Sequence, residues 1–251
     1  MSTVEIIGLG GLPEVRAGDD LAAMIAQASR ATATEVRDGD VLVVTQKVVS
    51  KAEGRIVDLA TVTPSRFALA YAEAFEKDAR VVEVVLGETR RIVRMAHGVM
   101  ICETRHGFVC ANAGVDASNV EKDGTVCLLP LDPDASCRRI RAGVRRELGA
   151  DTPVIMSDTF GRPWREGHVN FAIGVAGIAP VIDYAGQFDP AGYELRVTQM
   201  CVVDELAAAA ELVHGKLARV PVAIIRGAEY VRDDNASMAS LIRVAEKDLF
   251  R

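Results

Sequence analysis

The stretch Asp38-Gly39-Asp40-Val41-Leu42-Val43-Val44-Thr45-Gln46-Lys47 decides the fold class. Asp38-Gly39-Asp40 is a turn. The run Val41 to Val44 is apolar without alternation, which is the pattern of a strand buried on both faces. Such a strand needs cover above and below, and its C-terminal end delivers Thr45, Gln46, Lys47, Ser50 and Lys51 to one place. Pro153 to Met156 has the same character and runs into a loop with the sequence Ser157-Asp158-Thr159-Phe160-Gly161-Arg162-Pro163-Trp164-Arg165-Glu166-Gly167. Val4 to Ile7 and Val222 to Ile225 are two further short apolar strands.

Helices are expected between these strands. Asp19 and Asp20 cap one that runs to about Arg30. Another covers Pro64 to Lys77, with Pro in its first turn. A third starts at Asp132-Pro133, repeats Ile140, Val144 and Leu148 four apart, and stops at Gly149. Helices are also predicted over Asp204 to Val213 and Ser237 to Asp248. The segment from Arg91 to Ala113 is strand-rich, with turns at His97-Gly98 and His106-Gly107. Leu195 to Val197 is predicted as a strand, and Val81 to Val85 fits either strand or helix. Helices and strands mix without regular alternation, which places the chain in the α+β class. Its 251 residues suit one domain or two intimately packed halves.

A net charge of -6 gives no general attraction to nucleic acid or an anionic membrane. The five cysteines form no CxxC pair, so neither a disulfide framework nor a zinc ribbon is indicated, and buried thiols in a reducing compartment are expected. No basic leader opens the chain and no apolar run approaches the ~20 residues that span a bilayer. A cytoplasmic, soluble protein is the expectation.

Acids at strand exits are the strongest chemical signal. Asp158 follows a buried strand and Asp116 a less regular one. With Thr159 they match the oxygen donors that Mg²⁺ or Mn²⁺ accepts. Either Asp alone is read as a turn cap; the two together point to metal. Gly161 and Gly167 flank Arg162 and Arg165, a composition suited to meeting a phosphate or carboxylate, and Trp164 between them is an unexpected residue to leave in water. Lys47 and Lys51 suit phosphate or simply an exposed strand end. Gly8-x-Gly10 lacks the third glycine of a dinucleotide fingerprint, and no P-loop run is present. Arg138, Arg139, Arg141, Arg145 and Arg146 are expected to form a solvated helix face. His97, His106, His168 and His214 are too dispersed for an HExxH site. Leu206 to Leu212 is Ala-rich for close helix packing.

The motifs GLPEV (Gly11 to Val15), DGDVLVVTQKVVSKAEGR (Asp38 to Arg55), AGVDASNV (Ala113 to Val120), LLPLDPDASCRRIR (Leu128 to Arg141), SDTFGRPWREG (Ser157 to Gly167) and VVDELAAAAELVHGK (Val202 to Lys216) occur in an order that resembles the F420-0:gamma-glutamyl ligase family over nearly the whole chain. The resemblance implies an unusual mixed α/β fold and an intertwined homodimer. It also implies a GTP-dependent ligase that joins L-glutamate to the deazaflavin coenzyme F420-0 by a gamma-linked amide through an acyl phosphate. Leu12, Pro13, Glu14, Val15, Lys51 and Asn119 would then contact GTP. So would Gln46, where many relatives are expected to carry Ser or Thr. Asp116 and Asp158 would hold one divalent ion, and Thr159 a second, with Gln199 as a further oxygen ligand. Arg162 and Arg165 are candidates for recognising carboxylate or phosphate. Some relatives continue into a flavin-binding, nitroreductase-like domain, which is not expected in a chain ending at Arg251. A metal-dependent phosphate-ester hydrolase and a non-catalytic GTP-binding module are the competing readings.

Overall fold

The computed structural model describes residues 3–117 and 124–248. In chain order its elements are β1 (Glu5–Leu9), α1 (Leu21–Ala31), β2 (Val41–Thr45), α2 (Gln46–Ala52), β3 (Ile56–Asp58), α3 (Arg66–Phe75), α4 (Ala79–Glu88), β4 (Thr89–Ala96), β5 (Val99–Thr104), β6 (Val109–Ala111), β7 (Thr125–Cys127), α5 (Pro133–Leu148), β8 (Val154–Arg162), β9 (Arg165–Ala176), β10 (Ile182–Asp183), β11 (Gln199–Met200), α6 (Val202–His214) and β12 (Val222–Arg226). The mixture of helices with several sheets is α+β, as the sequence predicts.

The main sheet has the order β1-β12-β2-β8-β9. β12 runs antiparallel to both β1 and β2, whereas β2 and β8 are parallel. The C-terminal ends of β1, β2 and β8 therefore lie along one edge. Val41 to Val44 are fully buried, as are Val154 to Met156 and Val222 to Ile225. Two groups of helices supply the cover this requires: α1 packs on α5, which lies against β8 and β9, while α6 packs across β1, β12 and β9.

Local chemistry accounts for the helix ends. Asp20 Oδ1 accepts from the N–H groups of Ala22 and Ala23 at 3.0 and 3.2 Å, and Asp132 Oδ1 accepts from that of Ala135 at 2.8 Å, each satisfying donors that the first turn leaves open. Gly149 closes α5 in the left-handed region at φ 74°. Gly143 sets the α1/α5 contact, because a Cβ there would fall 2.3 Å from that of Ala22.

A second packing unit is built from β3 with β7, the sheet β4-β5-β6, α3 and α4. Ala68, Tyr71, Val82, Val85, Met100 and Cys102 form an apolar cluster separate from that of the main sheet. Val81 to Val85 is helical, with Asp78 as its cap.

Four expectations are corrected. Residues 157–167 are not a loop but the far half of a long hairpin, in which β8 continues to Arg162 and returns from Arg165. Trp164 sits in its turn at φ 58° and is 83% exposed, not buried. Leu195 to Val197 forms no strand; Glu194 makes only an isolated bridge to Phe188, and the nearby strand is the two-residue β11. Ser237 to Asp248 holds two short 3-10 turns, Met238–Leu241 and Ala245–Lys247, in place of a helix. A tertiary contact explains the first turn: Ser237 Oγ donates to Asp134 Oδ2 at 2.8 Å and accepts from Ala239 N. Arg138, Arg139, Arg145 and Arg146 form the exposed face expected of α5, with Arg141 the exception. Arg141 is mostly buried and bridges Asp151 and Asp234.

All five cysteines are free, four of them buried and Cys201 partly so. Burial pushes the thiol of Cys110 up to about 12, so it is protonated and unreactive at neutral pH. Ala207 and Ala210 are fully buried, as close packing of α6 requires. Among the described residues no helix is long and apolar enough to cross a membrane.

Candidate functional site

A cleft of about 580 Å³ opens at the C-terminal edge of β1, β2 and β8, the side on which parallel strands present their loops to ligands. Leu12, Pro13, Glu14 and Val15 arrive from the loop after β1. Thr45, Gln46, Lys47 and Lys51 come from the end of β2 and from α2; Ser157, Asp158 and Thr159 come from β8. Asp116 reaches the cleft from the second unit, held there by a pair of backbone hydrogen bonds with Cys127 at 2.8 and 3.0 Å.

Polar contacts organise the floor. Lys47 and Lys51 stand four apart on α2 and so share a face. Lys47 Nζ donates to Asp116 Oδ2 at 2.6 Å, and Lys51 pairs with Glu14 on the opposite wall. Gln46 is buried, and its amide nitrogen donates to Ser50 Oγ at 2.6 Å and to the Leu128 carbonyl at 3.1 Å. It thus locks α2 to the segment after β7. Thr159 Oγ1 accepts from Lys216 Nζ at 2.9 Å and donates to Asn170 Oδ1 at 2.8 Å; Asn170 Nδ2 donates in turn to Glu211 Oε2 at 2.9 Å.

Burial raises the Asp158 carboxyl from its ordinary range to about 6, and the nearby Asp116 adds to the rise. The Thr159 N–H, at 2.8 Å from Asp158 Oδ1, opposes it, as do Lys216 and Lys47. His214 also lines the cleft from the end of α6; burial lowers its pKa and keeps the ring neutral.

The structure thus brings together Leu12, Pro13, Glu14, Val15, Gln46, Lys51, Asp116, Asp158 and Thr159 in one cleft. Arg162 and Arg165 are not in its lining. Arg162 ends β8, four residues or roughly 13 Å beyond Asp158, and Arg165 opens β9; Arg162 Nη2 donates to the Glu166 carbonyl at 2.9 Å. Gln199 lies on exposed β11, outside the cleft, with its amide donating to Asp183 Oδ2 at 2.9 Å. Asn119 lies outside the described residues.

Sequence reasoning missed Asn170, Glu211, Lys216 and Arg219, which also line the cleft. Glu211 and Lys216 fall within the quoted motif Val202 to Lys216, but nothing in the sequence distinguishes them from a solvated end of α6. Asn170 was hidden because β9 was not recognised as a strand.

Among the described residues no three His, Cys, Asp or Glu side chains cluster closely enough to form a protein-only cage for a metal. Two carboxylates and a hydroxyl along one wall nevertheless fit a hard divalent ion that takes its remaining ligands from phosphate and water.

The family model described as F420-0:Gamma-glutamyl ligase matches residues 10–227. The chain is 46% identical over 251 residues to the "Coenzyme F420:L-glutamate ligase" of Methanothermobacter thermautotrophicus, covering 99% of both chains. It is 44% identical over 258 residues to the protein of that name from Methanopyrus kandleri, covering 97% of this chain and all of the relative. With the Methanocaldococcus jannaschii protein of the same name the identity is 41% over 251 residues, 99% of this chain and 97% of that one. The acids and lysines gathered at this cleft therefore lie in a chain that belongs to the F420-0:gamma-glutamyl ligase family.

Proposed function

We propose that this protein is a GTP-dependent, GDP-forming ligase that adds L-glutamate to coenzyme F420-0 through a gamma-linked amide. The observation that carries the reading is the convergence of Asp116, Asp158 and Thr159 with Lys47, Lys51, Lys216 and Arg219 in one cleft. That composition suits a reaction in which two anions, a nucleotide and a carboxylate acceptor, must be held together.

A carboxylate is a poor electrophile because its leaving group would be oxide. Transfer of the γ-phosphoryl group of GTP to the acceptor carboxylate gives an acyl phosphate and GDP. The amine of glutamate then attacks the acyl carbon, loses a proton and expels phosphate. In this reading Asp116 and Asp158 would hold one Mg²⁺ or Mn²⁺ and Thr159 a second, with Glu211, linked to Thr159 through Asn170, as its further oxygen ligand in place of Gln199. When bound, the ions offset negative charge on the phosphates and the acceptor. Leu12 to Val15 form the wall for the nucleotide. Lys51 neutralises phosphate, and Gln46 uses its amide carbonyl, since its nitrogen is already committed. Arg162 and Arg165 have no place in the cleft of their own chain, and their carboxylate role is retained only for a neighbouring copy.

Incubation with F420-0, L-glutamate, GTP and Mn²⁺ or Mg²⁺, followed by mass spectrometry, tests the reading. Additions of glutamate that require GTP are the expected result. Phosphate release from small esters without any glutamate addition would establish the hydrolase instead, and GTP binding without turnover would establish a binding module.

Proton competition gives a further expectation. Asp158 binds a metal only as the carboxylate, so Mn²⁺ affinity falls by up to tenfold per pH unit below about 6. Titrations between about pH 5 and pH 7.5 check this; a flat profile would remove Asp158 from the ligand set.

The protein is proposed to work in the cytoplasm as a homodimer. The excursion between β10 and β11 leaves Phe188, Tyr193 and Val197 exposed, and Trp164 is exposed at the hairpin turn. Apolar groups on extended segments suit an interface in which two copies embrace. Sedimentation is expected to give twice the 26.9 kDa chain mass, and Phe188→Asp with Tyr193→Asp to give monomers. Monomeric wild type would refute it.

A further inference from the structure

The oxygens that suit a divalent ion in this cleft face ammonium groups. Lys47 Nζ donates to Asp116 Oδ2 at 2.6 Å, and Lys216 Nζ donates to Thr159 Oγ1 at 2.9 Å. Both lysines also act on Asp158, favouring its ionised form. The cleft thus carries cations of its own at the edge where the metal reading needs a foreign one.

The Lys47–Asp116 pair contributes little to folding. The side chains of Lys47 and Asp116 are 20% and 45% exposed, and an ion pair reached by solvent gives on the order of 1 kcal/mol. The pair is nevertheless well supported. α2 begins directly after β2 and is tied down by the buried Gln46 amide, so the Lys47 backbone is fixed. Asp116 is fixed by its backbone pairing with Cys127. Two rigid supports hold a flexible four-carbon side chain against a carboxylate, an arrangement that places a charge and lets it leave without moving the backbone.

We propose that Lys47 is a built-in counter-ion of the metal site, neutralising Asp116 in the metal-free protein and yielding that carboxylate to the divalent ion when it binds. The inference rests on the metal-dependent reading of the cleft. Mg²⁺ and Mn²⁺ need short contacts to carboxylate oxygen, about 2.0–2.2 Å, and an ammonium on the same oxygen both blocks the approach and repels the ion. Metal entry therefore includes the cost of displacing Lys47. The released ammonium then points into a cleft that receives anionic substrates, so ion and nucleotide favour each other's binding.

The test is Mn²⁺ binding to the purified, nucleotide-free full chain, with free ion measured by electron paramagnetic resonance. Lys47→Met and Lys47→Gln remove the competitor and are expected to bind Mn²⁺ on the order of tenfold more tightly than wild type. Lys47→Arg keeps the charge and is expected to remain near wild type. Adding GDP should tighten Mn²⁺ binding more in wild type than in Lys47→Met, because only wild type has an ammonium to reuse. Equal or weaker binding in both neutral variants, with wild-type binding still lost in Asp158→Asn, would overturn the counter-ion role while leaving the metal site standing. Absence of Mn²⁺ binding in every protein would overturn both.

Discussion

Asp158→Asn is expected to lower ligase turnover by roughly a hundredfold or more and, in the same protein freed of metal by chelator, to raise the melting temperature by several degrees at pH 7.5. The two effects have one cause. Asp158 is placed where its carboxylate is costly, since burial raises its pKa to about 6 against an ordinary 3.8. Folding therefore favours the protonated form. The associated stability is fully present below about pH 4 and is lost as pH rises through about 6, so at neutral pH the ionised group weakens the metal-free fold by about 3 kcal/mol. Asparagine has no such ionisation, and its Oδ1 still accepts the Thr159 N–H that Asp158 accepts at 2.8 Å. The charge that a metal requires is missing, however. Calorimetric melts of both proteins at pH 4 and pH 7.5, beside the mass-spectrometric assay, read the two effects. A folded Asp158→Asn protein with normal turnover would remove this residue from the site. A lower melting temperature at pH 7.5 would show that the buried carboxylate is not a source of instability.

Asp40→Ala is expected to destabilise the protein by about 3–5 kcal/mol while leaving kcat near wild type at temperatures where the variant is folded. Asp40 is 2% exposed. Its carboxylate accepts from Arg226 Nε at 2.9 Å, Arg226 Nη2 at 2.8 Å and the Arg37 N–H at 2.8 Å. It thereby closes the turn that launches β2 and anchors the end of β12. Removing one partner of a largely buried pair leaves the other charge uncompensated, and that loss exceeds what the intact pair contributes. The cleft lies at the opposite end of β2, so chemistry there is spared. Urea unfolding gives the stability change, and a loss below about 1 kcal/mol would show that Arg226 finds water instead.

Buried strands and capped helices were legible because local chemistry dictates them. Val41 to Val44, Pro153 to Met156 and Val222 to Ile225 are unbroken apolar runs, and all are in the core. Asp20, Asp132 and Gly149 end helices by bonds and backbone angles that involve only near neighbours. The hairpin of β8 and β9 was not legible. Glycine, proline, serine and aspartate are turn-formers, and the composition of residues 157–167 gave no sign that main-chain pairing with residues 165–176 would override them. The opposite error, a helix over Ser237 to Asp248, has the same origin, since the Asp134 carboxylate that holds the turn is about a hundred residues away in the chain.

By itself, the sequence determined the class of fold, the strand that organises it, the family, and most of the cleft, because those depend on short-range patterns and on motifs retained in order. Tertiary structure alone decided which charges meet. It joined Asp116 to Lys47 across 69 residues and brought Asn170, Glu211 and Lys216 to Thr159. It also set Arg162, Arg165 and Gln199 apart from the cleft. Charge pairing depends on distance in space, and strand order converts sequence separation into that distance in a way no local pattern records.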